Sequence, residues 1–302
     1  MARKMTPGQL QAAVRKAQRE RNQAIDKYNR EARRHNDRIK KAITEHNRDV
    51  RAYNAQVRAH NTRVENHRRR LEQEIRRLNS RPAPQQFVEY RASVGTLARA
   101  YGVAESQLDR SNRASAAANF INLASADAAN SAYLLNAMDG DGAPEEDPTE
   151  DELRMPSMEA ELSLFGEDLV HRWAGALFSL SPLNPDAARQ FCTSAREVLI
   201  SMLDHAAPDS QVVEANPDCP RTEKGTPTRR AKVSFLLQRS GVGDSTIEDL
   251  IEADIENVLT LFRSFNDGTH GHAGRFTITQ LNALRMRVES AIRFIHTLCA
   301  GV

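Results

Sequence analysis

Arg263 and His270 stand seven residues apart in the run Arg263-Ser-Phe-Asn266-Asp267-Gly-Thr-His270-Gly-His272-Ala-Gly-Arg275-Phe. No other stretch of the 302 residues holds so many chemically capable side chains. A histidine of near-neutral pKa can take or give a proton, and an arginine can hold a phosphate and stabilise charge developing on it. Together they suffice, without a metal, to assist attack of an RNA 2′-hydroxyl on its own phosphate. The plainer reading is structural: Arg263 bonding the carbonyls of a helix end, and His270 and His272 bonding within a loop. A zinc site built from His270, His272 and His296 lacks an acid or thiolate partner. A two-metal nuclease needs clustered carboxylates, and Asp267 is nearly alone in its loop. No Walker loop, dinucleotide fingerprint, serine elbow or CxxC pair occurs, so no cofactor and no metal is expected.

The elements that must position this run are helices. Thr277-x-x-Gln280 predicts a capped final helix carrying Leu281, Leu284, Val288, Ile292 and Ile295. Ser245-x-x-Glu248 predicts another, with Ile247, Leu250, Ile251, Ile255, Val258, Phe262 and Phe265 on one side. Asn184-Pro185-Asp186 reads as a cap with proline at the first helical position, ahead of Phe191, Ala195, Val198, Leu199 and Met202. Leu162, Phe165, Leu169, Trp173, Leu177 and Leu180 form one further stripe, and Val233, Leu236 and Leu237 mark a short helix. Residues 207–227 read as a loop rich in proline and charge. The expected fold class is all-α, with residues 156–302 forming a bundle of four long helices and one short one.

An Arg-x6-His spacing in such a bundle resembles the HEPN superfamily, whose motif is Arg-x4–6-His. The segments Asn184–Pro208 and Asn266–Cys299 further resemble bacterial nuclease domains predicted to associate with prokaryotic PIWI-like systems. The resemblance covers about residues 157–302. It implies a metal-independent endoribonuclease of the HEPN type, a role in antiphage defence and paired active sites from two protomers. It implies that Arg263 binds the scissile phosphate, that His270 is base or acid, and that Asn266 or Asp267 orients them. The chain departs from the family at Ser264, where members carry a stronger polar group, and at Gly268, which breaks the helix before His270.

The remaining half differs in kind. The net charge of +2 is a cancellation. Residues 1–81 carry 23 Lys and Arg against 9 Asp and Glu, and residues 82–302 carry 19 against 31. Residues 1–81 are expected to be a basic coiled-coil arm. Apolar residues step by sevens through Ile25, Ala32 and Ile39, then Ile43, Val50, Val57, Val64, Leu71 and Leu78, with one four-residue stutter. The partner positions are Tyr28, His35, His46, Tyr53, His60 and His67, each of the first five followed by an asparagine. A straight helix of this extent would run roughly 110 Å. Such heptads predict a homo-oligomer, paired within or between chains.

The arm's cations read either as a solvated face, as phosphate contacts, or as a dock for the chain's own acids. Arg68, Arg69 and Arg70 are the leading candidates for nucleic-acid binding, with Arg229, Arg230, Arg275 and His272 in the bundle. RNA is the expected partner, DNA the alternative. Residues 82–138 read as a helical middle segment of two helices, from Phe87 to Tyr101 and from Glu105 to Met138. Residues 139–155 read as an acidic mobile linker. No apolar run spans the ~18 residues a membrane helix needs, no secretory signal opens the chain, and Cys192, Cys219 and Cys299 suggest a reducing compartment, so a cytoplasmic location is expected. Against the nuclease stands a second reading. It is a non-catalytic coiled-coil scaffold, or a nucleic-acid-binding or regulatory partner of a defence complex.

Overall fold

The computed structural model describes residues 6–80, 87–111, 116–140, 148–241, 244–266 and 276–300. Among the described residues there are eleven helices and no strand, so the chain is all-α, with one isolated bridge between Arg221 and Pro227. The helices are α1 (Pro7–Asn79), α2 (Val88–Ser111), α3 (Ala116–Met138), α4 (Glu150–Arg154), α5 (Glu159–Ser163) and α6 (Glu167–Phe178). They continue with α7 (Ala187–Ala206), α8 (Asp209–Ala215), α9 (Arg229–Arg239), α10 (Ser245–Asn266) and α11 (Ile278–Ala300). The chain divides between Arg63 and Val64 into two units.

In the first unit most of the described heptad residues are exposed, with Ala32 half-buried. Ile25 is 47% exposed, Ile43 55% and Tyr53 67%. From residue 64 the same register turns inward within the second unit. Leu71, Glu74 and Leu78 are buried, and Val64 and His67 half-buried. Asn136 Nδ2 donates to Glu74 Oε2 at 2.6 Å, which gives the one buried acid of the register a partner.

The second unit has two apolar clusters, and α2 and α3 contribute to both. Tyr90, Val94, Leu134 and Leu135 join Trp173, Phe191, Phe262 and Leu284 in one; Leu97, Phe120 and Ile121 join Leu236, Ile251, Phe294 and Leu298 in the other. Helix α2 packs on α10, and α3 on α11. The segment 82–138 therefore shares its core with the helices of 156–302. Its helices also divide differently from the expected pair. Helix α2 runs on through Gly102 to Ser111, because Leu97, Tyr101 and Ala104 keep one buried face across the glycine.

Five more local expectations change. Within the expected loop of residues 207–227, Asp209–Ala215 form α8 and Val212 on it is buried. The acidic segment 139–155 is not all linker. Thr149 caps α4 in a reciprocal box with Glu152, and Leu153 is fully buried, while 141–147 lie outside the described residues. The stripe Leu162–Leu180 is broken at Gly166, whose φ of 114° suits only glycine, into α5 and α6. At α7 the cap is Asp186, not Asn184, and its side chain bonds Arg189 instead of the helix end. At α10 the carboxylate of Asp244, one residue before Ser245, accepts from Thr246 N at 2.9 Å. The Thr277/Gln280 box is present as expected, with Thr277 N donating to Gln280 Oε1 at 2.9 Å and Gln280 N to Thr277 Oγ1 at 3.2 Å.

A set of polar groups closes the interior where α2, α3, α10 and α11 meet. Arg287 of α11 is fully buried. Its Nη2 donates to Asp254 Oδ1 at 2.8 Å and Asn257 Oδ1 at 3.1 Å, and its Nη1 lies 3.9 Å from Asp127 Oδ2. Ser131 Oγ donates to the same Asn257 oxygen at 2.9 Å, and Asn257 Nδ2 donates to Ser93 Oγ at 2.9 Å. Burial and the charge of Asp254 hold the Asp127 carboxyl well above the usual range, against the pull of Arg287. Burial pushes the Tyr90 phenol up to about 12.

Candidate nucleic-acid cleft

Helices α7, α8, α9 and α10 enclose a cleft of about 750 Å³. Its cations are Arg196 from α7, Arg229 and Lys232 from α9, and Arg263 from α10. Its acids are Asp204 and Asp209, and Ile200, Leu203, Leu259 and Pro227 give it apolar wall. Lys232 Nζ lies 2.6 Å from one carboxylate oxygen of each acid, with only 9% of its side chain exposed. Burial alone would lower the ammonium pKa, but the bonds and charges of Asp204 and Asp209 outweigh it and hold the lysine charged.

Arg229 and Arg263 share one carboxylate. Arg229 Nη2 donates to Glu256 Oε2 at 2.5 Å, and Arg263 Nη2 to Glu256 Oε1 at 2.5 Å and to Thr260 Oγ1 at 2.7 Å. Glu256 and Arg263 are seven residues apart on α10, two turns along one face, which brings their side chains together. Burial pulls the Glu256 carboxyl upward, but the Arg263 bond and the charges of both arginines overcome it and hold it below the usual range. The three partners are 32–44% exposed along their side chains.

The first turn of α9 is built against the helix dipole. Thr228 caps it, with Oγ1 accepting from Ala231 N at 3.2 Å, yet the turn holds Arg229, Arg230 and Lys232 and no acid. Positive charge at the positive end of a helix is unfavourable. Neighbouring helices offset it. Besides Glu256, Asp204 and Asp209, Arg230 meets Glu248 at 3.3 Å and Asp249 at 3.0 Å. Arg229 Nε remains buried without a hydrogen-bond partner.

The sequence candidates fall into three groups. Arg263 and Arg229 line the cleft, and Arg230 sits on the same helix turn bound to α10 acids. Arg68, Arg69 and Arg70 do not line it. Arg68 pairs with Glu105 at 2.5 Å, Arg69 with Glu65 at 2.5 Å, and Arg70 lies 5.4 Å over the Tyr133 ring. Asn266 ends α10, its side chain outside the described residues, as are Asp267, His270, His272 and Arg275. Arg196 of the cleft lining and Glu256, which bonds two lining arginines, were marked by no motif, whereas Lys232 belongs to the run of bases Arg221, Lys224, Arg229, Arg230 and Lys232 that the sequence offered for an RNA backbone. Of the two unmarked residues only Glu256 had a readable signal, its two-turn spacing from Arg263. Among the described residues no three His, Cys, Asp or Glu side chains gather as a metal site. His296 packs edge-on against Phe165, with ring centroids 6.4 Å apart. No described helix is long and apolar enough to cross a membrane.

Comparison with curated proteins and with solved structures gives no match. Residues 162–295 match a family model described as "predicted pPIWI-associating nuclease". The matched segment begins within α5, ends within α11, and contains every residue that lines the cleft. The match supports a nuclease-like C-terminal domain.

Proposed function

We propose that the chain is a metal-independent endoribonuclease of the HEPN type, working at the α7–α10 cleft in antiphage defence. The observation that carries this is the placement of Arg263: the arginine of the Arg-x6-His pair lines a four-cation cleft inside the nuclease-matched segment. In the reaction the 2′-oxygen bonds to the adjacent phosphorus as the bond from phosphorus to the 5′-oxygen breaks. A 2′,3′-cyclic phosphate and a 5′-hydroxyl result. His270 takes the 2′-hydroxyl proton or supplies one to the leaving oxygen, Asn266 or Asp267 orients it, and Arg263 stabilises the charge on phosphate. The test is cleavage of a mixed-sequence RNA in EDTA by wild type, Arg263→Ala and His270→Ala. Wild type is expected to cleave and both variants to lose at least about a hundredfold. Equal rates in all three would sink the assignment.

The arm's role in this reading is to pair copies. All fifteen charged residues between Ile25 and Asn61 avoid the two heptad positions and the asparagine position beside them. A long uncharged strip is thereby kept on an otherwise cationic helix, and Ile25, Ile39, Ile43, Val50 and Val57 on it are exposed. A second copy offers the matching strip. Light scattering should give a multiple of the chain mass, reduced to one chain by Val50→Asp with Val57→Asp.

The second reading is a non-catalytic nucleic-acid-binding scaffold, or a regulatory partner of a defence protein. It is favoured by the engagement of Arg68, Arg229, Arg230 and Arg263 with acids of the same chain. Salt-dependent binding of RNA or DNA without cleavage would mark it.

A further inference from the structure

We infer that Glu256 is the resident counter-ion of the cleft, and that one phosphate of a single-stranded nucleic acid takes its place on Arg229 and Arg263. The inference rests on the cleft being the nucleic-acid site proposed above, and adds what sets its affinity.

Glu256 joins two arginines that approach from different helices, and both bonds end on one carboxylate. A phosphate presents to guanidinium groups the same charge-assisted acceptor pair that a carboxylate does. The exchange is feasible because the pairs are wet. Glu256 is 43% exposed and Arg263 44%, and ion pairs at such exposure are weak. The cleft's other pair behaves oppositely, because Lys232 is clamped between two acids at 9% exposure. Phosphate therefore belongs at the arginines.

The rest of the cleft fits a single strand. Arg196 is exposed on α7 with no acidic partner among the described residues, so its charge is free for a neighbouring phosphate. Ile200 and Leu259 supply apolar wall against which an unstacked base can lie. A volume near 750 Å³ is that of a small-ligand site and holds a nucleotide segment rather than a duplex.

Binding of a fluorescein-labelled, 2′-O-methyl single-stranded RNA twelve-mer to the full chain tests this. That backbone lacks the attacking hydroxyl and stays intact. The arm's cations contribute alike in every variant. Glu256→Gln should bind about three- to tenfold more tightly than wild type at low salt. Its plot of log affinity against log salt should be steeper by about 0.7, as expected when one more phosphate charge is neutralised. Glu167→Gln removes an equal charge from an exposed residue that does not line the cleft and should change neither. Glu256→Asp, which draws the carboxylate back from both arginines, should shift binding in the same direction if Glu256→Gln fails to fold. Equal or weaker binding by the Glu256 variants, or a shift matched by Glu167→Gln, overturns the exchange. Tighter Glu256→Gln binding with no cleavage of ordinary RNA by wild type leaves the exchange standing and removes the nuclease. Cleavage with unchanged binding does the reverse.

Discussion

Two arginine–carboxylate networks sit on helix α10 and differ mainly in water. Asp254 and Asn257 face inward and hold Arg287, where guanidinium and acids are at most 2% exposed. Glu256, beside them in sequence, holds the cleft residues Arg229 and Arg263 at 32–44% exposure. Both pair guanidinium donors with carboxylates, at 2.5 Å in the outer network and 2.8 Å from Arg287 to Asp254 in the inner one. Without water the acids cannot release the arginine, so the inner network fixes how α2, α3, α10 and α11 meet. With water the bonds are exchangeable, and the outer network can accept another anion. One helix thus separates a folding role from a binding role by the direction its residues face.

The largest effect should come from cutting the inner network in two. A fragment of residues 139–302 keeps the whole family-matched segment but loses Tyr90, Ser93, Asp127, Ser131 and the α2 and α3 share of both apolar clusters. It should show no cooperative thermal transition by circular dichroism; a sharp one would mean that the matched segment folds alone. Next is Arg287→Met, which leaves Asp254 and Asp127 buried without their cation. About 3–5 kcal/mol should be lost in urea unfolding. A loss below about 1 kcal/mol would show the inner network to be as exchangeable as the outer one.

A smaller effect is expected in pH. Because the folded Asp127 carboxyl titrates above its unfolded value, the native state binds more protons than the unfolded chain there. That contribution is full below the unfolded carboxylate range and is lost as pH rises through the folded value. Asp127→Asn should therefore gain on wild type as pH is raised from 5 to 9 in paired melting curves. A constant gap would refute it. The smallest change should be Glu256→Gln, within about 1 kcal/mol of wild type because the pairs it breaks are solvated. Its carboxyl is held below the usual range, so any contribution it makes is present at neutral pH and lost on acidification. A larger loss would make Glu256 a structural residue.

The sequence exposed the helices well because helical pattern is local. Ile247 to Phe265 and Leu281 to Ile295 are buried on the faces their spacing predicted, and the Thr277/Gln280 box forms. The break at Gly166 was less visible, since the apolar stripe of Leu162 to Leu180 runs across it. The inner network had a legible signal. Asp254, Asn257 and Arg287 occupy positions three or four residues from Ile251, Leu261 and Leu284, on faces otherwise apolar. A polar residue on such a face must find a partner inside. Arg196 gave no such signal, because a single arginine on a helix surface looks the same whether or not a cleft stands beside it.

By itself the sequence determined an all-α chain, a heptad arm that gathers cations on the faces away from its seam, and an Arg263/His270 spacing in a segment that resembles nucleases. Those properties depend on intervals of three, four and seven residues along one chain. Only the tertiary structure decided where the heptad seam is covered, that α2 and α3 belong to the same core as the nuclease-like segment, and which cations remain available. Whether a charge is paired depends on which helix comes to lie opposite it. Arg229 and Arg263 are 34 positions apart in the sequence and meet only because α9 packs on α10 around Glu256.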